Sequence, residues 1–258
     1  MTDNKELLVE IKDQIATLSI NRPGKKNSLS LNILQALETF FKNPPPEVRV
    51  AVLRGVGNEA FSSGFDISTL GNSTPGSEVS VIEQTYGYIR NSKIPTIAYL
   101  NGYAMGAACD LIVNCDIRIA NNSGRFGMPP AKLGVIYSYE GLGRFISLVG
   151  LANTKEMFLT GRIYPADKCY EMGLLNRVVD PEEQEEIVYH MAREIVGNAP
   201  LSVQGIKRML TLHSQQDSLP AEQQEEVLAI RKQIFESEDF LEGKHAFLEK
   251  RKPQFQGR

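Results

Sequence analysis

Apolar positions along the 258-residue chain follow two rhythms. Leu7-Leu-Val-Glu-Ile11 and Ile15-Ala-Thr-Leu-Ser-Ile20 are short β-prone runs around the polar Lys12-Asp-Gln14, and they predict a hairpin. Asn21-Arg-Pro23 breaks the second run. A polar loop with Lys25 and Lys26 then leads into a helix near Leu31–Lys42, which stops before Pro44-Pro-Pro46. Val48–Arg54 reads as a buried strand closed by Gly55-Val-Gly57. The pattern returns with a helix near Ser77–Asn91, a strand at Thr96–Leu100 after Pro95, and a glycine turn at Gly102. A short helix opening at about Gly106 and a strand at Ile117–Ala120 follow. Strands alternating with helices predict an α/β core. The last quarter changes rhythm: Pro181–Asn198, Leu201–Ser214, Ala221–Ser237 and Phe240–Lys250 all carry helical spacing, interrupted at Pro220 and Ser237–Asp239. The chain therefore divides into an α/β core over 1–197 and a helical C-terminal region over 198–258, of the kind that caps a pocket or joins subunits.

Composition narrows the classes of function. With 42% hydrophobic and 23% charged residues the chain is an ordinary packed globular protein. A net charge of −3 gives no global basic field, and no basic-aromatic stripe stands out, so nucleic acid is not an expected partner. Met1-Thr-Asp-Asn-Lys-Glu lacks an apolar leader, and no apolar run approaches the roughly 20 residues of a membrane span. Cys109, Cys115 and Cys169 form no CxxC spacing, and an odd count suits a reducing compartment. His190, His213 and His245 lie too far apart to suggest a metal site. A cytoplasmic protein without membrane or metal is the expectation.

Two segments carry candidate chemistry. Ala60-Phe-Ser-Ser-Gly-Phe-Asp-Ile67 follows one strand, with a short helical turn expected at Phe65 or Asp66. Asn101-Gly-Tyr-Ala-Met-Gly-Ala-Ala-Cys-Asp110 joins another strand to a helix through Gly102 and Gly106. The first N–H groups after such turns lack intrahelical partners and sit at the positive end of the helix dipole. Two converging turns of this kind make an oxyanion hole. Either turn alone reads equally as tight strand–helix packing.

Taken together with other runs, these segments resemble the crotonase (enoyl-CoA hydratase/isomerase) superfamily. The runs are Asn21-Arg-Pro with Asn27-Ser-Leu29, Phe61-Ser-Ser-Gly-Phe-Asp-Ile67, Asn101-Gly-Tyr-Ala-Met-Gly106, Cys115-Asp-Ile-Arg-Ile-Ala120 and Ala246-Phe-Leu-Glu-Lys-Arg-Lys-Pro253. They occur in family order and cover nearly the whole chain. The resemblance implies a crotonase-like ββα spiral with a helical C-terminal trimerisation region, assembled as a homotrimer or a hexamer of two trimers. It implies an acyl-CoA substrate, with coenzyme A as part of that substrate and no prosthetic group. It places the thioester oxygen between the N–H groups of Phe65 and Ala107, where most relatives have glycine in place of Ala107. Lys25 and Lys26 match positions beside the adenine and phosphates, and Ser28, Ser63, Asp66 and Ile67 match positions around the adenine and pantetheine. Phe247 and Lys250 match C-terminal residues that close over the nucleotide. Without that context each lysine is a solvated surface charge.

The carboxylates depart from the family pattern. Hydratases of this type place a glutamate at each of two positions. Asp110 stands at the first, one methylene shorter, where it reads equally as a catalytic carboxyl and as a first-turn helix-stabilising acid. Pro130 stands at the second and offers no acid, base or donor. Downstream, Glu140 either replaces the missing acid or opens a helix near Gly141, the helix start being preferred. Tyr137, in Leu133-Gly-Val-Ile-Tyr137, aligns with a tyrosine of the methylmalonyl-CoA decarboxylase branch, although that branch has histidine where Phe65 stands. Three readings follow. One is an enoyl-CoA hydratase/isomerase-like enzyme using Asp110 with Glu140 or Tyr137. The second is a decarboxylase of a methylmalonyl-type CoA ester, with Tyr137 orienting the carboxylate. The third is a non-catalytic acyl-CoA-binding protein.

Overall fold

A computed structural model describes residues 6–66, 68, 77–214, 225, 228–229, 232 and 235–254. The chain opens with the hairpin of β1 (Leu7–Lys12) and β2 (Ile15–Ile20), paired from Leu7 with Ile20 to Lys12 with Ile15. Lys12 joins the strand, so the turn shrinks to Asp13-Gln14. Both residues take positive φ (50° and 66°), the backbone a two-residue turn needs to follow the twist of its strands. Helix α1 (Leu31–Lys42) starts where the Ser30 side chain accepts a hydrogen bond from the Ile33 N–H, and it buries Ile33, Leu34, Leu37 and Phe41.

Three successive strand–strand–helix turns then build the core. The first is β3 (Val50–Gly55), β4 (Ala60–Ser62) and α2 (Ser77–Asn91). The second is β5 (Thr96–Leu100), β6 (Tyr103–Met105) and α3 (Ala107–Val113). The third is β7 (Ile117–Asn121), β8 (Arg125–Gly127) and α4 (Tyr139–Thr160). Long strands collect in one six-stranded sheet, β1-β2-β3-β5-β7 with β10 (Arg177–Val179) at its edge. The short strands collect in a second sheet, β4-β6-β8 with β9 (Ile163–Pro165). Pairing is parallel throughout apart from β1·β2 and β8·β9. The result is the α/β coil expected from the sequence. Periodicity did not reveal the second sheet, because three-residue strands are too short to show a period.

The long strands read as continuous apolar runs because both faces of their sheet are covered. Val50, Val52, Ile97, Tyr99 and Ile119 pack against Val188 and Ala192 of α6 (Pro181–Gly197). Ala51, Leu53, Ala98, Leu100 and Ala120 face the larger core. Helix α5 (Ala166–Glu171) precedes β10. The final layer is α7 (Pro200–Ser214) and α8 (Glu238–Leu248). Lys207 of α7 is buried and pairs with Asp116 at 2.7 Å. Gly243 of α8 sits so close to the turn before Gly134 that a Cβ there would lie 2.0 Å from the Leu133 carbonyl oxygen. The helix expected over Ala221–Ser237 falls almost entirely outside the described residues. No helix among the described residues is long and apolar enough to cross a membrane.

Two asparagine side chains tie the chain to the turn between β3 and β4. Asn101 accepts from the Gly55 N–H (3.1 Å) and donates to the carbonyls of Gly55 (2.9 Å) and Gly57. Asn27 donates to the carbonyls of Val56 and Ala60, both at 2.9 Å. Asn101→Ala strands a buried N–H and two carbonyls. The expected loss is about 2–4 kcal/mol of unfolding free energy, read as a lower urea midpoint with an unchanged slope. An unchanged midpoint would show that the strands need no such lock.

Candidate active site

Parallel pairing of β4 with β6 (Ala60 opposite Tyr103, Ser62 opposite Ala104) sets the loops that follow these strands side by side. Gly64 (φ 97°) is pressed against the second loop. A Cβ on it would lie 2.6 Å from the Met105 carbonyl oxygen and 3.5 Å from the Ala107 nitrogen. Gly106 (φ 53°) caps α3, which begins at Ala107. The first loop differs from expectation: Phe65 does not open a helical turn but forms a parallel β-bridge with Leu29. In that bridge the Leu29 N–H donates to Gly64 and the Asp66 N–H donates to Leu29. The Phe65 N–H is thereby left out of the ladder. Among the described residues neither the Phe65 nor the Ala107 N–H has a hydrogen-bond partner. Two such neighbouring amides can stabilise negative charge on a carbonyl oxygen.

These turns open into a cavity of about 1090 Å³. Its lining includes Lys25, Lys26, Ser28, Ser63, Phe65, Asp66, Ala107, Asp110, Tyr137, Phe247 and Lys250, all singled out in the sequence. Ile67 lies outside the described residues. Glu140 is the exception and requires a correction: it is exposed in the first turn of α4 and does not line the cavity. Ser138 accepts from the Gly141 N–H and starts the helix two residues earlier than expected, which turns Glu140 outward. Pro130 does line the cavity, within a short 3-10 turn.

The mouth is cationic, but its first loop is held by Arg22. That guanidinium reaches Asp66 (2.8 Å), Glu6 (3.0 Å) and both the carbonyl and hydroxyl of Ser28 (2.9 and 3.0 Å). Burial would raise the Asp66 carboxyl. Bonds from Ser68 and Arg22 and the charge on Lys25 outweigh that and hold it below the usual carboxylate range. Lys25 and Lys26 stay exposed, 3.5 Å from Asp66 and 3.6 Å from Glu59 respectively. Phe247 and Lys250 are exposed on and just beyond α8.

Deeper in, Asp110 is 1% exposed, in the first turn of the helix that starts with the Ala107 amide. Desolvation pushes its carboxyl up to about 6 against the opposing pull of Arg144, with Glu83 pushing the same way. Arg144 Nη2 stands 3.5 Å from Asp110 Oδ1, an ion pair without a hydrogen bond, and Oδ1 has no other partner. The same guanidinium holds Glu83 at 3.0 Å, and the Ser138 hydroxyl donates to Glu83 as well. Tyr137 is half-buried, edge-on to Phe158 (5.5 Å, 84°), with its hydroxyl 3.8 Å from where a Gly106 Cβ would lie. Burial, then Asp110, Cys109 and Glu83, raise its phenol well above the usual range, so it stays a neutral donor. Cys109 is fully buried and its thiol is likewise raised, which removes it as a nucleophile.

Sequence reasoning missed Glu83, Arg144 and Tyr86. The Tyr86 hydroxyl donates to the Ala107 carbonyl at 2.6 Å and fixes the start of α3. The available signal was weak: Ile82, Tyr86 and Ile89 mark the inner stripe of α2, and Glu83 borders it.

The coil of strand–strand–helix turns thus brings two unpartnered amides and a buried carboxyl to the wall of one cavity, an arrangement suited to stabilising negative charge on a carbonyl oxygen beside a proton-carrying group. Residues 10–258 match the family model Enoyl-CoA hydratase/isomerase. The methylmalonyl-CoA decarboxylase of Escherichia coli K12 is 32% identical over 252 residues, covering 95% of each chain. The short-chain-enoyl-CoA hydratase of Clostridium acetobutylicum is 31% identical over 255 residues, again covering 95% of each. A solved methylmalonyl-CoA decarboxylase in complex with 2-nitronate-propionyl-CoA superposes with a TM-score of 0.91 at 32% identity, covering 98% of this chain and 99% of that one. The chain belongs to the enoyl-CoA hydratase/isomerase family, an enzyme of the crotonase superfamily.

Two measurements test the geometry. Gly64→Ala combines a forbidden clash with positive φ and is expected to cost about 2 kcal/mol of stability and to weaken binding of enolate-mimicking CoA esters. Unaltered affinity for such an ester would mean that the loop is not part of the site. Asp110 titrates near 3.8 when unfolded and near 6 when folded, so the native state holds its proton more tightly. Stability is therefore full below about pH 4 and falls by about 3 kcal/mol as pH rises through about 6 to neutral. Asp110→Asn should raise the melting temperature at pH 8 relative to the parent, and much less at pH 4. An equal effect at both values would show that the carboxyl is not perturbed.

Proposed function

We propose that this chain moves a proton to or from the carbon next to the thioester of an enoyl-CoA, by hydration or double-bond shift, while the Phe65 and Ala107 amides hold the enolate oxygen. Asp110 carries the proton. The single observation behind this reading is its placement: a buried carboxyl with a pKa of about 6 and an oxygen free of hydrogen bonds, one helical turn from the Ala107 amide. A carboxyl poised near working pH is suited to both accepting and returning a proton. Coenzyme A is bound as part of the substrate. Lys25 and Lys26 supply positive charge beside its adenine and phosphates, Phe247 and Lys250 close over the nucleotide, and Ser28, Ser63 and Asp66 surround the adenine and pantetheine. No prosthetic group takes part.

Decarboxylation of a methylmalonyl-type ester is the second reading, carried by one observation: the neutral Tyr137 hydroxyl over the Gly106 turn, where it could orient a carboxylate. Two nearby carboxyls, Asp110 and Glu83, speak against an anionic acyl group there. We also propose a cytoplasmic homotrimer or hexamer joined through the 198–258 region, supported by exposed Leu201, Met209 and Leu210 on α7.

A panel of acyl-CoA esters read by mass spectrometry separates the readings. Asp110→Asn is expected to lower hydration, or α-proton exchange of a saturated acyl-CoA in heavy water, by about 1000-fold while CoA affinity holds. Exchange by the parent should be flat above pH 6 and fall about tenfold per pH unit below it, because the base must be ionised. If Tyr137→Phe abolishes carbon dioxide loss while Asp110→Asn leaves turnover intact, the decarboxylase reading replaces the first. Binding without turnover of any ester would leave only an acyl-CoA-binding protein.

A further inference from the structure

The family position opposite Asp110 is Pro130, yet the cavity holds a second carboxylate that comes from another element. Glu83 lines the cavity from α2, and the ends of Glu83 and Asp110 meet at one nitrogen of Arg144, 3.0 and 3.5 Å away. Two carboxylates this close repel, and the shared guanidinium makes their juxtaposition tolerable. Burial works against charge on Arg144, but the attraction of Asp110 and Glu83 prevails and its pKa is raised. The surroundings also separate the two acids. Asp110 is fully buried with one oxygen lacking any hydrogen bond, whereas Glu83 is a quarter exposed and hydrogen-bonded by Arg144 and Ser138. Pairs of carboxyls placed in such different settings divide acid and base duties.

We propose that Glu83 is the second catalytic carboxylate, replacing the acid missing at Pro130, and that the reaction is therefore addition of water to the double bond of an enoyl-CoA rather than its migration. The proposal rests on the Asp110 reading above. In the step envisaged, a water O–H bond breaks and its proton goes to Glu83 as the oxygen bonds to the β-carbon. The π pair of the Cα=Cβ bond shifts to join the α-carbon to the thioester carbon, and the C=O π pair moves onto the thioester oxygen between the Phe65 and Ala107 amides. Collapse of that enolate draws the proton of Asp110 to the α-carbon. After product leaves, the proton on Glu83 returns through solvent to Asp110, so one water is consumed and the protein is restored.

Glu83→Gln in the full-length protein tests this, since the amide retains an oxygen for Arg144 and Ser138. Two assays run on the same preparation: water addition to crotonyl-CoA, and α-proton exchange of butyryl-CoA in heavy water, which needs the amides and Asp110 alone. Hydration should fall about 100-fold, with KM and the exchange rate within about threefold of the parent. Hydration within about threefold of the parent overturns the proposal. So does a parallel fall in exchange, which would make Glu83 a positioning residue acting through Asp110 or a contributor to folding. If the parent itself exchanges no α-proton, the Asp110 reading fails first and takes this one with it.

Discussion

The parallel ladder between β4 and β6 is the constraint on which the site depends. Each pairs only a few residues, yet the register fixes where two loops from successive turns of the coil emerge. Because the strands run the same way, both loops leave at the same end, and Gly64 can press against the Met105–Ala107 backbone. This arrangement needs residues that take positive φ, at Gly64 and Gly106, and asparagines that hold one strand turn against the next. The helix dipole of α3 then adds to an amide whose position the ladder has already set.

Stability and chemistry pull in opposite directions at Asp110. A buried carboxyl that is ionised at neutral pH is a liability to the fold, and Arg144 only partly compensates it. The surrounding cluster distributes the burden: Arg144 serves two acids, Ser138 both starts α4 and donates to Glu83, and Tyr86 ties α2 to the first residue of α3. Reactivity, helix capping and inter-helix packing thus share a handful of atoms.

Much of this was legible in the chain. The long strands announced themselves as unbroken apolar runs, α1 and α2 by their spacing, and the glycine turns by composition; eleven of the thirteen residues singled out for the site line one cavity. What escaped has physical causes. Three-residue strands show no period, so the second sheet was invisible. The β-bridge at Phe65 is long-range, to Leu29, and no local signal marks it. Glu140 opens α4, as the preferred reading had it, but its alternative as a replacement acid does not meet the cavity, because Ser138, two residues earlier, takes the cap and turns it toward solvent. Glu83 was overlooked because a lone acid beside an apolar stripe resembles any solvated helix edge, and its partner lies 61 residues away.

Contact between Gly243 and the Leu133 carbonyl leaves no room for even one carbon atom. The last helix is thus seated directly on the segment that carries Pro130 and lines the cavity. Gly243 and Phe247, one turn apart on the same face of that helix, both line the cavity. Variation in that helix moves the cavity wall and the Pro130 segment together, so a change of cavity shape in this lineage is expected to leave traces near the C-terminus as well as around Asp110 and Glu83.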